Sequence, residues 1–332
     1  MLIHKALPEI SESEINTSCW FLGRKIKAPL MITGMTGGHP ESRVINMNLA
    51  MAAQKMGVAL GLGSQRAALE DPGLVETFSM VREVAPDVPI VGNIGAAQLR
   101  DYGPDVLNRL AEMIDADAMA IHLNFLQESV QPEGDKDASM VLETIASSCS
   151  SVPLIIKETG AGISGEVASE LLKAGVKIMD VSGVGGTSWS SVEAFRAAEM
   201  GDEESLHMGR LFSSWGMPTP VSVVECASAG AEVISSGGVR SGIDVARSLA
   251  LGASMAGLAL PALGPATHGP KEVEKILKEY IRALRISMFL TGCGDLSKLR
   301  SARLVILGRT REILEQRGFD LRKFSIYREM AK

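Results

Sequence analysis

The sequence predicts a (β/α)8 TIM barrel, on three observations. Apolar runs of four to eight residues recur eight times, nearly continuous in character, as strands covered on both faces of a parallel sheet require. Each run ends in Gly or a small polar residue and gives way to a stretch with helical spacing. Neutral polar side chains gather at these run ends, where a barrel builds its site.

The runs are Pro29–Met35, Val58–Leu62, Pro89–Asn93, Ala118–His122, Pro153–Lys157, Lys177–Val181, Glu232–Ser235 and Met255–Ala259. Helix candidates between them include Arg43–Met56, Pro104–Met113, Ser139–Cys149, Ser164–Ala174, Ser222–Ala229 and Ile243–Leu251. A doubly wound sheet is the rival, because strand order cannot be read from strand count. Polar motifs at every strand end favour the closed barrel. No second composition regime interrupts the chain, so residues 1–332 are expected to form one barrel domain. Ser188–Met217 is too long for a simple βα loop and carries Trp189, Phe212 and Trp215, which suits a lid or a subunit contact. After residue 291 or so a tail follows the expected closing helix Glu272–Leu290.

Composition narrows the function. The chain is 46% apolar and holds 34 glycines but only 4% aromatics, which fits many βα turns better than a β-sandwich. A net charge of −6 gives no field to attract nucleic acid or an anionic membrane. Cys19, Cys149, Cys226 and Cys293 lack the short spacings of a zinc site. The N-terminal MLIHKALPEI has no apolar core of a signal peptide, and Leu249–Leu263 is broken by Gly252, Ser254, Gly257 and Pro261. The expectation is a cytoplasmic protein with a small-molecule ligand.

The run ends supply the chemistry. They read Thr33-Gly34-Met35-Thr36, Gly63-Ser64-Gln65-Arg66, Asn93-Ile94-Gly95, His122-Leu123-Asn124, Lys157-Glu158-Thr159 and Ser182-Gly183. Alternation directs Asn93, His122, Asn124, Lys157 and Ser182 towards the barrel axis. A Lys ending a core strand is costly to bury without an anionic partner. An electron-rich heterocycle such as a flavin, whose reduced ring carries charge at N1 and O2, would supply one. Ala231–Leu263 holds two successive strands that each end in a Gly- or Pro-rich turn beside a helix start, a cradle of backbone N–H groups suited to a phosphate.

Eight strings make the reading specific: ALPEI (Ala6–Ile10), MTGG (Met35–Gly38), GSQRAA (Gly63–Ala68), NIGA (Asn93–Ala96), HLNFLQE (His122–Glu128), KETGAGIS (Lys157–Ser164), DVSGVGGTSW (Asp180–Trp189) and SSGGVRSG (Ser235–Gly242). Together they resemble type 2 isopentenyl-diphosphate isomerase, the FMN-dependent family, from about Leu2 to Leu299. SSGGVRSG is shared with other FMN barrels; HLNxxQE and DVSGxGGTSW are specific.

The resemblance implies interconversion of isopentenyl and dimethylallyl diphosphates on reduced FMN with Mg2+. NAD(P)H would serve only to reduce the flavin. By position, Gly34, Met35, Thr36, Ser64, Asn93, Lys157, Ser182, Thr187, Gly238, Val239, Arg240, Ala259 and Leu260 would bind FMN. Ser64, Gln65, Arg66, His122, Asn124 and Gln127 would face the substrate, and Glu128 would ligate Mg2+. Gln127, Lys157 and His122 form the expected catalytic set. The family also implies a homo-oligomer, a tetramer or octamer. One departure stands out. Members carry an Arg-Lys-x-x-His motif upstream that grips the diphosphate, and this sequence begins at Met1-Leu2-Ile3-His4, so a raised KM is expected. The alternatives are an FMN-dependent 2-hydroxy-acid oxidase or dehydrogenase, and an FMN- and prenyl-diphosphate-binding protein with impaired turnover.

Overall fold

The structure, a computed structural model, describes residues 1–150 and 152–325. Two short strands come first, β1 (Cys19–Phe21) and β2 (Arg24–Ile26), paired antiparallel. Eight parallel strands follow: β3 (Leu30–Ile32), β4 (Ala59–Gly61), β5 (Ile90–Gly95), β6 (Ala118–Leu123), β7 (Leu154–Glu158), β8 (Ile178–Asp180), β9 (Glu232–Ser235) and β10 (Met255–Leu258). They close in the order β10-β3-β4-β5-β6-β7-β8-β9. All eight expected runs are strands; four stop short of the expected C-terminal end, three run on by one or two residues and Glu232–Ser235 is unchanged.

Burial explains the closure. Residues of one parity point inward, so Met31, Ala59, Val91, Ala118, Ile155, Ile234 and Met255 form a core inside the cylinder. The other parity packs outward against the helices, as with Ile32, Leu60 and Ile90. Six expected helices are present as Pro40–Met56, Val106–Ile114, Val141–Ser148, Gly165–Lys173, Thr219–Ala229 and Gly242–Leu251. The closing helix runs Pro270–Leu290.

The β1–β2 hairpin was not expected. Its turn places Leu22 at φ +48° ahead of Gly23, the geometry of a tight hairpin written without the usual Asn or Asp. Phe21 and Ile26 enter the inner core and close the end of the barrel opposite the strand C-termini. Arg24 and Arg82 both grip Asp117, at 2.5 and 2.7 Å, fastening the hairpin to the start of β6.

Residues 188–217 form two helices, Trp189–Met200 and Glu203–Leu211, that pack on each other, followed by an edge-to-face pair of Phe212 and Trp215 with centroids 5.7 Å apart. In the tail, Arg317 bonds the buried carboxylate of Glu225 and the exposed Glu166, tying the helix Gly308–Gln316 to two barrel helices. The last part of the expected 1–332 span, 326–332, lies outside the described residues. No helix among the described residues is long and apolar enough to cross a membrane.

Candidate active site

Inward parity carries past the apolar core to the strand C-termini. There it presents Asn93 on β5, His122 on β6, Lys157 on β7 and Asp180 on β8. In register His122 is opposite Lys157, and Lys157 is opposite Asp180, so the three stand side by side around the rim. A cavity of about 440 Å³ opens above Lys157 and Asp180; His122 is not among its walls. Its walls include Gly34, Met35, Thr36, Lys157, Ser182, Thr187, Gly238, Val239, Arg240, Ala259 and Leu260. Asn93 and Ser64 depart from this grouping. Asn93 lines a small cell beneath the cavity floor, and Ser64 sits at the rim with its hydroxyl 3.5 Å from the Arg66 amide.

The end of the cavity at Gly237 and Gly238 is shaped by backbone. Gly237 and Gly238 have φ of +90° and +93°, and a Cβ on Gly238 would lie 2.5 Å from the Gly185 carbonyl oxygen. Two loops therefore press backbone on backbone, which only Gly permits. Thr219 donates its hydroxyl to the Gly237 carbonyl at 2.6 Å, and Arg240 donates to the Gly185 carbonyl at 3.0 Å. The helix opening at Gly242 differs from the expected cradle. Asp244 accepts from the Arg240 amide and the Ser241 hydroxyl, so a carboxylate of the chain already occupies that first turn. Donors for an anion come from the glycine turn and the start of Leu260–Ala266.

Lys157 carries the electrostatic argument. Its ammonium makes no hydrogen bond or ion pair within 4 Å to any described residue, and it faces the cavity. Burial lowers its pKa, and the charges of Asp180 and Glu158 oppose that shift. A cation aimed into a cavity without a protein partner fits an anionic, ring-shaped ligand such as reduced FMN. Glu158 itself is turned away. Its carboxylate accepts from the amides of Thr159, Gly160, Ala161 and Gly162, which curls the loop whose Thr159 walls the cavity. His122 is uncharged: burial, with Lys157 and Arg66 nearby, lowers its pKa to about 3. Its Nδ1–H donates to Asn93 Oδ1 at 3.0 Å, with Oδ1 assigned as the acceptor, which leaves Nε2 as the free acceptor.

The β4–β6 arc of the rim holds the remaining expected residues. Asn124 donates to Glu128 at 2.7 Å, and the other Glu128 oxygen accepts from the Asp135 amide at 2.9 Å. Gln127 donates to Glu193 at 2.7 Å; Glu193 is only 3% exposed and also accepts from Arg196. Arg66 is exposed beside Glu70. Gln65 departs from the expectation that it faces substrate. It is wholly buried, donating to the Leu110 carbonyl and accepting from the Asn93 amide, so it braces β5 from behind.

Sequence reasoning gave no role to Asp180, Glu193 or Thr159. Asp180 shares the parity of Ser182 and could have been found that way. Glu193 lies 66 residues from Gln127 and carried no local signal. Among the described residues no cluster of three or more His, Cys, Asp or Glu side chains is placed to hold a metal.

Comparison with known proteins bears on the family and the fold. Residues 108–306 match the family described as FMN-dependent dehydrogenase. The chain is 62% identical to an isopentenyl-diphosphate delta-isomerase of Methanothrix thermoacetophila, covering 98% of this chain and 91% of that one. It is 52% identical to one from Methanococcoides burtonii (98% and 90%) and 50% identical to one from Halobacterium salinarum (95% and 89%). Among solved structures, a mandelate oxidase variant with the monooxide FMN adduct aligns with a TM-score of 0.63 at 19% identity, over 90% of this chain and 85% of that one. A mandelate oxidase variant with (S)-mandelic acid aligns with 0.63 at 19% identity, over 92% and 87%. At that identity the likeness is one of fold. Identity over nearly the whole length, on an FMN-type barrel, places the chain in the FMN-dependent isopentenyl-diphosphate delta-isomerase family.

Proposed function

We propose that this protein is an isopentenyl-diphosphate delta-isomerase that works on FMN, a reading carried by the unpartnered Lys157 ammonium in a cavity whose far end is a glycine cradle. Gly34, Met35, Thr36, Ser182, Thr187 and Lys157 would hold the flavin ring. Gly238, Val239, Arg240, Ala259 and Leu260 would hold its phosphate. When bound in its reduced form, FMN supplies acid–base capacity next to a hydrocarbon, which no side chain here offers.

The chain's own residues do the rest. Protonating an unactivated alkene towards a tertiary cation needs a fixed geometry and exclusion of water. Gln127, held by Glu193, directs an amide at the reacting carbons without adding charge. His122, neutral and fixed by Asn93, and Arg66 take the diphosphate end with Asn124. Glu128 offers one carboxylate, which suits Mg2+, an ion that keeps several waters and shares its shell with substrate phosphate oxygens. NAD(P)H enters only to reduce the flavin. Trp189 on the cavity wall makes residues 188–217 a lid, and the exposed Phe195, Leu211 and Trp215 are candidates for a subunit contact.

The 2-hydroxy-acid oxidase reading needs a His base after the seventh barrel strand, and this chain has Ser236-Gly237-Gly238 there. The test is direct. Protein reconstituted with FMN, reduced without oxygen and given Mg2+ and isopentenyl diphosphate should form dimethylallyl diphosphate with no net flavin oxidation, followed by NMR. Absence of that product would overturn the reading.

A further inference from the structure

Beside Lys157 on the rim stands Asp180, a buried carboxylate and the one acidic side chain among the residues that wall the cavity. The two are register partners on β7 and β8 and point to the same interior face. Both wall the 440 Å³ cavity, and both also line the small cell below its floor, so no packed side chain separates them. Asp180 is held by the hydroxyl of Ser236, the residue that follows β9, a bond between two buried groups. The Ser182 amide also donates to this carboxylate, and its charge reaches Lys157 from beyond ion-pair distance.

We propose that Asp180 is a positioning residue for the cofactor site: tethered by Ser236, it keeps the neighbouring Lys157 ammonium charged and aimed across the cavity floor. This rests on reading the cavity as a flavin site. The charged and titratable groups around Lys157 are few. His122 on β6 is neutral, Glu158 is occupied by its own loop amides, and Arg66 is exposed and paired with Glu70. Asp180 is the carboxylate left to balance Lys157 in a place where burial disfavours any charge.

Apoprotein reconstituted with FMN tests this by its visible absorption and by its flavin midpoint potential, both followed from pH 6 to pH 9. Wild type should show no one-proton transition in its oxidised spectrum across that range. Asp180→Asn should bring one in as Lys157 loses its proton, and the double variant with Lys157→Met should lose it again. An Asp180→Asn spectrum as flat as wild type, with FMN bound, would overturn the proposal. If Asp180→Asn does not fold, Ser236→Ala frees the carboxylate without removing it. A transition entering the range there supports the role, and none refutes it. Failure of wild type to bind FMN at all would instead overturn the flavin reading itself.

Discussion

Gln127 and Glu193 meet at 2.7 Å although they follow different barrel strands, Gln127 on the short helix after β6 and Glu193 on the helix that opens at Trp189. Glu193 is also gripped by Arg196, which in turn reaches Glu133. The carboxylate therefore has one oxygen for each partner, and the Gln127 amide nitrogen is held against Glu193. Substituting Glu193→Ala should release that amide and lower kcat by about 10- to 100-fold, the loss that follows when a positioning contact is removed. FMN affinity should stay within about twofold, because Glu193 does not wall the cavity. An unchanged kcat under single-turnover conditions would remove Glu193 from the machinery.

Lys157→Met deletes the cation facing the flavin while keeping the aliphatic stem. A charge-assisted bond is worth about 1.5–3 kcal/mol, so FMN should bind roughly 10- to 100-fold more weakly. Fluorescence quenching of free FMN by apoprotein measures this, and equal affinity in the two proteins would contradict the site.

Acid should act through His122. In the fold its pKa is about 3, against an ordinary 6.5 in the unfolded chain. Between those values the unfolded chain binds the extra proton, so stability from this group is full above about pH 6.5 and is lost as pH falls towards 3. His122→Gln cannot titrate. Its urea midpoint relative to wild type should therefore improve on going from pH 7 to pH 4; a constant difference would show the imidazole is not buried neutral.

Ser182 sits at φ +33°, in the left-handed region, where the chain turns from β8 into the cavity wall. Strain of this kind is tolerated at ligand sites and costs about 1–3 kcal/mol. Ser182→Gly relieves it but loosens the unfolded chain by about 0.5–1 kcal/mol, so a net gain of roughly 1 kcal/mol is expected. The gain should show as a raised Tm with weaker FMN binding. A lowered Tm would mean the hydroxyl stabilises the turn more than the strain opposes it.

Arg317→Met leaves Glu225 buried without its cation. Breaking a buried pair from one side costs about 3–5 kcal/mol; with Arg317 37% exposed, about 2–3 kcal/mol is expected in urea unfolding. Adding Glu225→Gln should recover part of it. No recovery would show that packing, not charge, fixes the tail.

How much of this was written in the sequence depends on the range of the interaction. The strands were legible because inward and outward parities are both apolar, as at Ala118–His122, and because the change to polar side chains marks where the apolar core ends. Lys157 was legible for the same reason: parity alone directs it inward. The hairpin at Cys19–Ile26 was missed because Leu22 takes a turn position that composition assigns to Asn or Gly. Gln65 was misread because its neighbours Ser64 and Arg66 lie at the rim, while a single residue's rotation in the turn sends its amide behind β5. Glu193 has no local pattern at all; only closure of the barrel brings its helix to Gln127.

The hairpin has a consequence for traffic. With Phe21 and Ile26 seated in the lower interior, the cylinder is a blind well with one doorway. Whatever enters or leaves the site, and the water that must be kept out, uses the mouth ringed by the βα loops. Turnover is thus ordered by occupancy: one molecule must leave before its successor can descend, and whatever covers that mouth governs entry and escape together.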